Sequence, residues 1–255
     1  MHVHELFCFG AHPGDGNPAL VIEDDGMAPV ARQAFAAARN TTCVFLSRGQ
    51  EVDYYYPHMR SPLCLHATLA AAAVLFKREQ AARTIAVRTA MQGQALELSR
   101  EDGRYVVKLA PQAVPQAAIG GDRIAALLDA PGLALASRAR VASVGSPKLL
   151  VEVEDADALY GLAPDLAGIA AWGKANGVNG LYVYCRLAEG VSEGRNFNHL
   201  DAALEDSATG VAAGALAAAL GHGLVLRQGR ATGRDCLIQA RVEDGAILVG
   251  GAAEG

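Results

Sequence analysis

His66 and Asp206 are two side chains whose types could move a proton and which stand just ahead of alanine-rich stretches. His66 lies in Pro62-Leu63-Cys64-Leu65-His66-Ala67-Thr68, and Asp206 in Leu204-Glu205-Asp206-Ser207-Ala208-Thr209-Gly210. Imidazole and carboxylate are both general acid–base groups. Each segment is a short loop with a threonine that runs into an alanine-rich stretch, residues 69–76 after the first and 211–220 after the second. A helix start leaves backbone N–H groups unpaired and carries partial positive charge, so it suits a carboxylate or an oxyanion. Two such starts facing one cleft would hold an acidic metabolite from both sides. Amides near Ala67–Leu69 and Ala208–Val211 would then stabilise an oxyanion. Ala67, Thr68, Thr209, Gly210 and Val211 are the binding positions this implies, with Cys64 beside them.

Positioning those loops requires strands and helices around them. Short β-branched or apolar runs bounded by Gly, Pro, Asn or Asp predict strands across the chain, among them 4–9, 19–22, 43–46, 52–56, 149–153, 180–185 and 194–197. Helical patterns appear at 29–39, 67–78, 122–128, 164–176 and 209–220, two of them opening on a proline. Residues 111–121 contain two prolines and no period, which reads as a crossover. The expected architecture is α/β (α+β): two similar lobes, residues 1–113 and 114–255, each a curved sheet or barrel around a central helix. The last strand is left free to pair back with the first lobe.

Composition removes several classes. A formal net charge of −5 lacks the basic face that nucleic acid requires. The five cysteines are odd in number and scattered without a C-x-x-C pair, which reads as reduced thiols in a cytoplasmic protein. Residues 1–7 lack the basic and apolar regions of a signal peptide. The apolar stretch 211–226 is broken by Gly221-His222-Gly223 and is too short to span a membrane. Neither a nucleic acid nor a membrane is therefore an expected partner. Gly250-Gly251 is not followed by a helix, so no dinucleotide loop is present.

Four stations in order resemble the phenazine-biosynthesis PhzF-like family of the diaminopimelate-epimerase-like superfamily. Gly16-Asn17-Pro18-Ala19 is similar to its early Gly-Asn-Pro-Ala turn, and Asn40-Thr41-Thr42-Cys43-Val44 falls at its Glu-Thr-Thr/Ala-Phe-Val. Residues 62–70 resemble Pro-Leu-Cys-Gly-His-Ala-Thr-Leu-Ala, and residues 205–210 resemble Glu-Asp-Pro-Ala-Thr-Gly. Gly145-Ser146-Pro147-Lys148, Arg195 and residues 248–251 are lesser echoes. The resemblance implies a two-lobe fold and proton transfer on small carboxylate metabolites (isomerisation, epimerisation or racemisation) without metal or organic cofactor. It implies His66 and Asp206 as catalytic, and Asn17, Asn40 and Cys64 among the groups at the substrate. A homodimer is an arrangement it allows.

Several positions depart from the family. The glutamate that serves it as acid/base is Asn40, which cannot take up a proton near neutral pH. A glycine is Leu65, a proline is Ser207, a small polar residue is Val211, and an upstream glutamate is Arg60. The competing reading is a metabolite-binding protein that kept the cleft and lost the base. A third reading uses Cys64 with Cys43 as thiol bases. Singly, Asp206 reads first as a helix cap and second as a proton carrier. Asn40 reads equally as a substrate contact or a helix terminator. Cys64 reads first as a small core residue, Arg60 as a solvated loop arginine, and His199 as a weak site candidate.

Overall fold

The structure is a computed structural model that describes residues 1–24, 26–199 and 201–255. The chain forms two units, Met1–Leu109 with Leu248–Gly255, and Ala110–Ile247. In the first unit the elements run β1 (His2–Cys8), β2 (Asn17–Glu23), α1 (Pro29–Arg39), β3 (Thr42–Leu46), β4 (Glu51–Tyr55), β5 (Arg60–Ser61), α2 (Leu65–Arg78), β6 (Thr84–Thr89), β7 (Ala95–Glu101) and β8 (Arg104–Leu109). The second unit contains α3 (Gly121–Leu127), β9 (Arg140–Ala142), β10 (Lys148–Glu152), α4 (Ala156–Tyr160), α5 (Leu166–Asn176), β11 (Leu181–Ala188), β12 (Val191–Phe197), α6 (Gly210–Leu220), β13 (Leu224–Gln228) and β14 (Cys236–Glu243). Strand β15 (Ala246–Gly251) carries the chain across the boundary, and β16 (Ala253–Glu254) returns to β1, with Cys8 opposite Ala253.

The first unit orders its strands β16-β1-β2-β3-β4-β6-β7-β8, and the second β14-β13-β12-β11-β10-β9. From β2 the pairs β2–β3, β3–β4, β4–β6 and β6–β7 are parallel, antiparallel, parallel and antiparallel. From β10 the pairs β10–β11, β11–β12, β12–β13 and β13–β14 repeat that series. Each parallel pair needs a crossover. Helix α2 fills the one from β4 to β6, and α6 the one from β12 to β13. The duplicated loop-and-helix device in the sequence is thus a duplicated crossover.

A helix that is apolar all round has no solvent face, so the sheet has to go round it. Residues Leu65–Phe76 of α2 are all buried. The helix touches β1, β2, β3, β4, β6, β7, β8 and β16. Alanine at Ala70, Ala71 and Ala72, each fully buried, lets those strands close to backbone distance. Helix α6 plays this part in the second unit against β9, β10 and β14. On the opposite face of the first sheet, α1 covers Leu20, Ile22, Cys43, Phe45 and Tyr55.

Several element limits differ from the sequence expectation. Pro29 opens α1 as expected, but Pro164 stays outside α5. The Asp165 carboxylate accepts from the Gly168 amide at 2.9 Å and caps a helix that begins at Leu166. Helix α4 was not expected, because Glu154-Asp155-Ala156-Asp157 shows no apolar period. Asp155 caps it, with the Ala158 amide 2.8 Å from Oδ1. Among the described residues no helix is long and apolar enough to cross a membrane.

Candidate functional site

In the first unit, the loop before α2 gathers Asn17, Cys64 and His66. Cys64 is the N-cap in extended conformation, so α2 begins at Leu65, two residues earlier than the sequence pattern suggests. The amide of Thr68 already donates to Cys64 O at 2.9 Å. The amides without an intrahelical acceptor are therefore those of Leu65, His66 and Ala67, not Ala67–Leu69. Asn17 Nδ2 lies 3.5 Å from His66 Nδ1, and Cys64 Sγ lies 3.4 Å from the same nitrogen. An amide nitrogen only donates, so toward Asn17 Nδ1 is the acceptor, while Cys64 Sγ also lies 3.7 Å from Nε2. Thr68 is wholly buried, donates to Cys64 O at 2.7 Å and shares a 2.7 Å hydrogen bond with the Tyr54 hydroxyl. Its hydroxyl braces the helix start from within.

Asn40 terminates a helix. It is the C-cap of α1 in the left-handed region (φ 46°, ψ 36°), and its amide donates to Ala37 O. Parallel pairing of Ala19 with Thr42 puts Asn17 and Asn40 at the same end of neighbouring strands. The exposed Asn40 side chain thus lies at the edge where the family places its glutamate, while its backbone serves the fold. Asn40→Gly should leave stability within a few tenths of a kcal/mol, whereas Asn40→Ala should cost about 1 kcal/mol by chemical denaturation. Equal effects from both would show that the side chain, not the left-handed backbone, is what matters.

Two expectations in this unit are corrected. Arg60 is not a solvated loop arginine: it lies in β5, and its Nε donates to the buried Asp53 carboxylate at 2.7 Å. Arg32 Nη1 donates to the other carboxylate oxygen at 2.9 Å, and the Tyr55 hydroxyl also reaches it. Cys43 cannot serve as the second thiol base. It packs with Phe45 and Tyr55 beneath α1, and burial pushes its thiol up to about 12. His4 pairs with Glu23 at 2.7 Å, and among the described residues no cluster of three or more His, Cys, Asp or Glu side chains is placed to hold a metal ion.

In the second unit the loop before α6 is fixed at both ends. Glu205 takes a two-pronged ion pair from Arg195, Nε to Oε1 at 3.0 Å and Nη2 to Oε2 at 2.8 Å. Such pairing fixes orientation as well as charge. At the other end, Gln228 Nε2 donates to Asp206 O at 2.7 Å and to Thr209 Oγ1 at 3.0 Å, while its Oε1 accepts from the Thr209 amide at 3.2 Å. Asp206 therefore does not act as the expected cap for that amide. Its Oδ2 faces Thr209 Oγ1 at 3.4 Å and Asn196 Nδ2 at 3.5 Å. Thr209 is the N-cap, so Gly210 and Val211 open the helix. The amide of Ala212 turns back to Thr209 O, leaving those of Gly210 and Val211 without an intrahelical acceptor. Val211 is half-buried there, in place of the family's small polar residue.

Behind Asp206 stands Lys148, the first residue of β10, fully buried and donating to Asn196 Oδ1 at 2.9 Å. Burial pulls its ammonium down to about 7, against the opposing pull of the Asp206 charge. His199 adds a buried Nδ1 with no partner among the described residues, and burial lowers its proton affinity. Gln228, Asn196 and Tyr54 were missed by the sequence reading, and Lys148 appeared there only as an echo. Each sits in a strand whose sequence does not reveal which residue it will face. The usable signal was Lys148 heading Leu149-Leu150-Val151, a run with no solvent-facing alternation.

Residues 7–254 match the family described as phenazine biosynthesis-like protein. An uncharacterized isomerase of Deinococcus radiodurans is 33% identical, the match covering 90% of this chain and 80% of that protein. The uncharacterized isomerase YddE of Escherichia coli is 28% identical over 94% of this chain and 89% of its own length. A crystal structure of a Bacillus anthracis phenazine biosynthesis protein of the PhzF family superposes with a TM-score of 0.79 at 20% identity, covering 100% of this chain and 97% of that one. That likeness shows the fold, which is diaminopimelate epimerase-like. With the four motifs in order, the repeated strand pairing and a family match over nearly the whole length, this chain belongs to the PhzF family of isomerase-like proteins.

Proposed function

We propose that the protein is an isomerase or epimerase that moves a proton on a small amino or hydroxy acid without a cofactor, with His66 and Asp206 carrying the proton. The observation that supports this most is the preparation of both groups. His66 is held at Nδ1 by Asn17, with the Cys64 thiol within reach of both ring nitrogens. Asp206 is oriented by Thr209 and Asn196 on a loop clamped by Arg195 and Gln228. Amides at Leu65–Ala67 and at Gly210–Val211 are suited to the substrate's carboxylate and to the enolate-like charge that builds as the proton leaves. Asn40 supplies no base, so the chemistry this site favours is a one-base 1,3-shift, elimination or tautomerisation over symmetrical two-base racemisation.

Asn40 as a helix cap also favours a second reading, a binding protein without turnover. The test is a panel of amino and hydroxy acids incubated with chelator-treated protein, followed by NMR and chiral chromatography. Formation of an isomer that persists after chelation supports the isomerase reading. Saturable binding with no product from any ligand bound would establish the second reading instead.

A further inference from the structure

We infer that Lys148 is the positioning residue of the Asp206 carboxylate, acting through the side-chain amide of Asn196 and through its own positive charge. The inference rests on the reading that Asp206 carries proton transfer.

The amide of Asn196 can face its neighbours in two ways, and Lys148 selects one. An ammonium only donates, so Asn196 must turn Oδ1 toward Nζ, which it does at 2.9 Å. The amide nitrogen then has two protons to place. One goes to Asn198 Oδ1 at 2.8 Å and the other faces Asp206 Oδ2 at 3.5 Å. The carboxylate is therefore met by the amide nitrogen of Asn196 only while Lys148 holds the carbonyl on the far side. Lys148 and Asn196 have no exposed surface, so water does not compete for this relay.

The internal repeat points the same way. In the first unit Asn17, the first residue of β2 in Gly16-Asn17-Pro18-Ala19, faces His66 at the start of α2. In the second, Gly145-Ser146-Pro147-Lys148 leads into β10, and Lys148 backs Asp206 ahead of α6. The strand entry that braces the imidazole in one copy braces the carboxylate in the other.

Charges around Lys148 are few. Asp206 and His199 face it from the segment between β12 and α6. Glu205 and Arg195 neutralise each other in their ion pair. Strand β11 contributes the Tyr182 hydroxyl, which donates to Gln228. Arg140 of β9 donates to Ala219 O at the far end of α6, a helix with no titratable side chain. Asp206 is thus a carboxylate whose charge Lys148 meets, and an ammonium poised near neutrality, as burial makes this one, would change that carboxylate's proton affinity when it loses its charge.

The test uses substrate-free, full-length protein with 13Cε-lysine and 13Cγ-aspartate labels. Lys77, Lys108 and Lys174 are exposed, so the Lys148 signal stands apart and Lys148→Met assigns it. In Asp206→Asn the Lys148 midpoint should fall by about one pH unit, a tenfold change in proton affinity, and in Lys148→Met the Asp206 midpoint should rise by a similar amount. Coupling between two sites is reciprocal, so either variant reads it if the other fails to fold. Lys148→Met should also lower turnover about tenfold, with the conservative Lys148→Arg recovering part of it. Unmoved midpoints overturn the inference, and so does coupling accompanied by unchanged turnover. Should no substrate be turned over by the wild type, the proton-transfer reading fails, while the titrations still decide the coupling.

Discussion

Asp206→Asn is expected to lower turnover about 10²- to 10⁴-fold, the usual contribution of a positioned acid–base group. Stability should fall by only about 1 kcal/mol. The asymmetry follows from the surroundings. Asp206 is half-buried, and Asn can still accept at Oδ1 from Thr209 Oγ1. The loop itself is held by Glu205 on Arg195 and by Gln228 on the backbone, neither of which needs the carboxylate. What the variant loses is a group that can take and return a proton. Steady-state rates and urea unfolding measure the two effects separately. A variant that keeps its rate would make Asp206 a scaffold residue.

The largest loss of stability is expected from Asp53→Ala, about 3 kcal/mol by urea unfolding, near the lower end of what breaking a buried ion pair costs. Asp53 is 3% exposed and receives Arg32, Arg60 and the Tyr55 hydroxyl. Without it, two guanidinium groups, Arg60 over the ring of Tyr55 and Arg32 over that of Phe45, lose the carboxylate they share. Their side chains are 21% and 35% exposed, so both can turn partly to water, which is why the upper end of the range is not expected. The damage should reach the His66 loop, because Tyr54 of β4 supports it through Thr68 and Ser61 of β5 donates to Leu63 O. A loss below about 1 kcal/mol would mean that solvent already screens this pair as it does a surface one.

Much of the scaffold was legible because its signals are local. Long Ala/Leu runs with few polar interruptions mark helices buried on every side, and both were found in the sequence to within two residues. The two loops ahead of them carry the same residue types, and they prove to be equivalent crossovers in a repeated strand series. Pairing itself was not legible, since register in the parallel pairs depends on residues tens of positions apart. Helix starts drifted for a related reason. Leu65 and His66 are compatible with both loop and helix, and the extended Cys64 decides between them. At Pro164, a proline favourable at a first helical turn lost to Asp165, whose carboxylate caps one residue later.

The candidate site was half legible. His66 and Asp206 announce themselves by type and position, whereas the residues that orient them do not. Lys148, Asn196 and Gln228 lie on three different strands, and only folding brings them to one loop. Arg60 looked solvated because nothing near it in sequence reveals that Asp53, seven residues earlier, points at it from the neighbouring strand. Asn40 carries both of its readings at once, as a left-handed helix terminus on the strand edge beside Asn17.

Proton movement at carbon is the core of this account, and heavy water reads it without knowledge of the product. Wild-type protein, His66→Asn and Asp206→Asn would each be incubated in D2O with the carboxylates that bind, and the substrate C–H signals followed by NMR. Deuterium entering one substrate position with wild type, and entering at least about 100-fold more slowly with either variant, is the predicted result. Bound carboxylates that retain every carbon-bound proton, or exchange that continues undiminished in both variants, would contradict it.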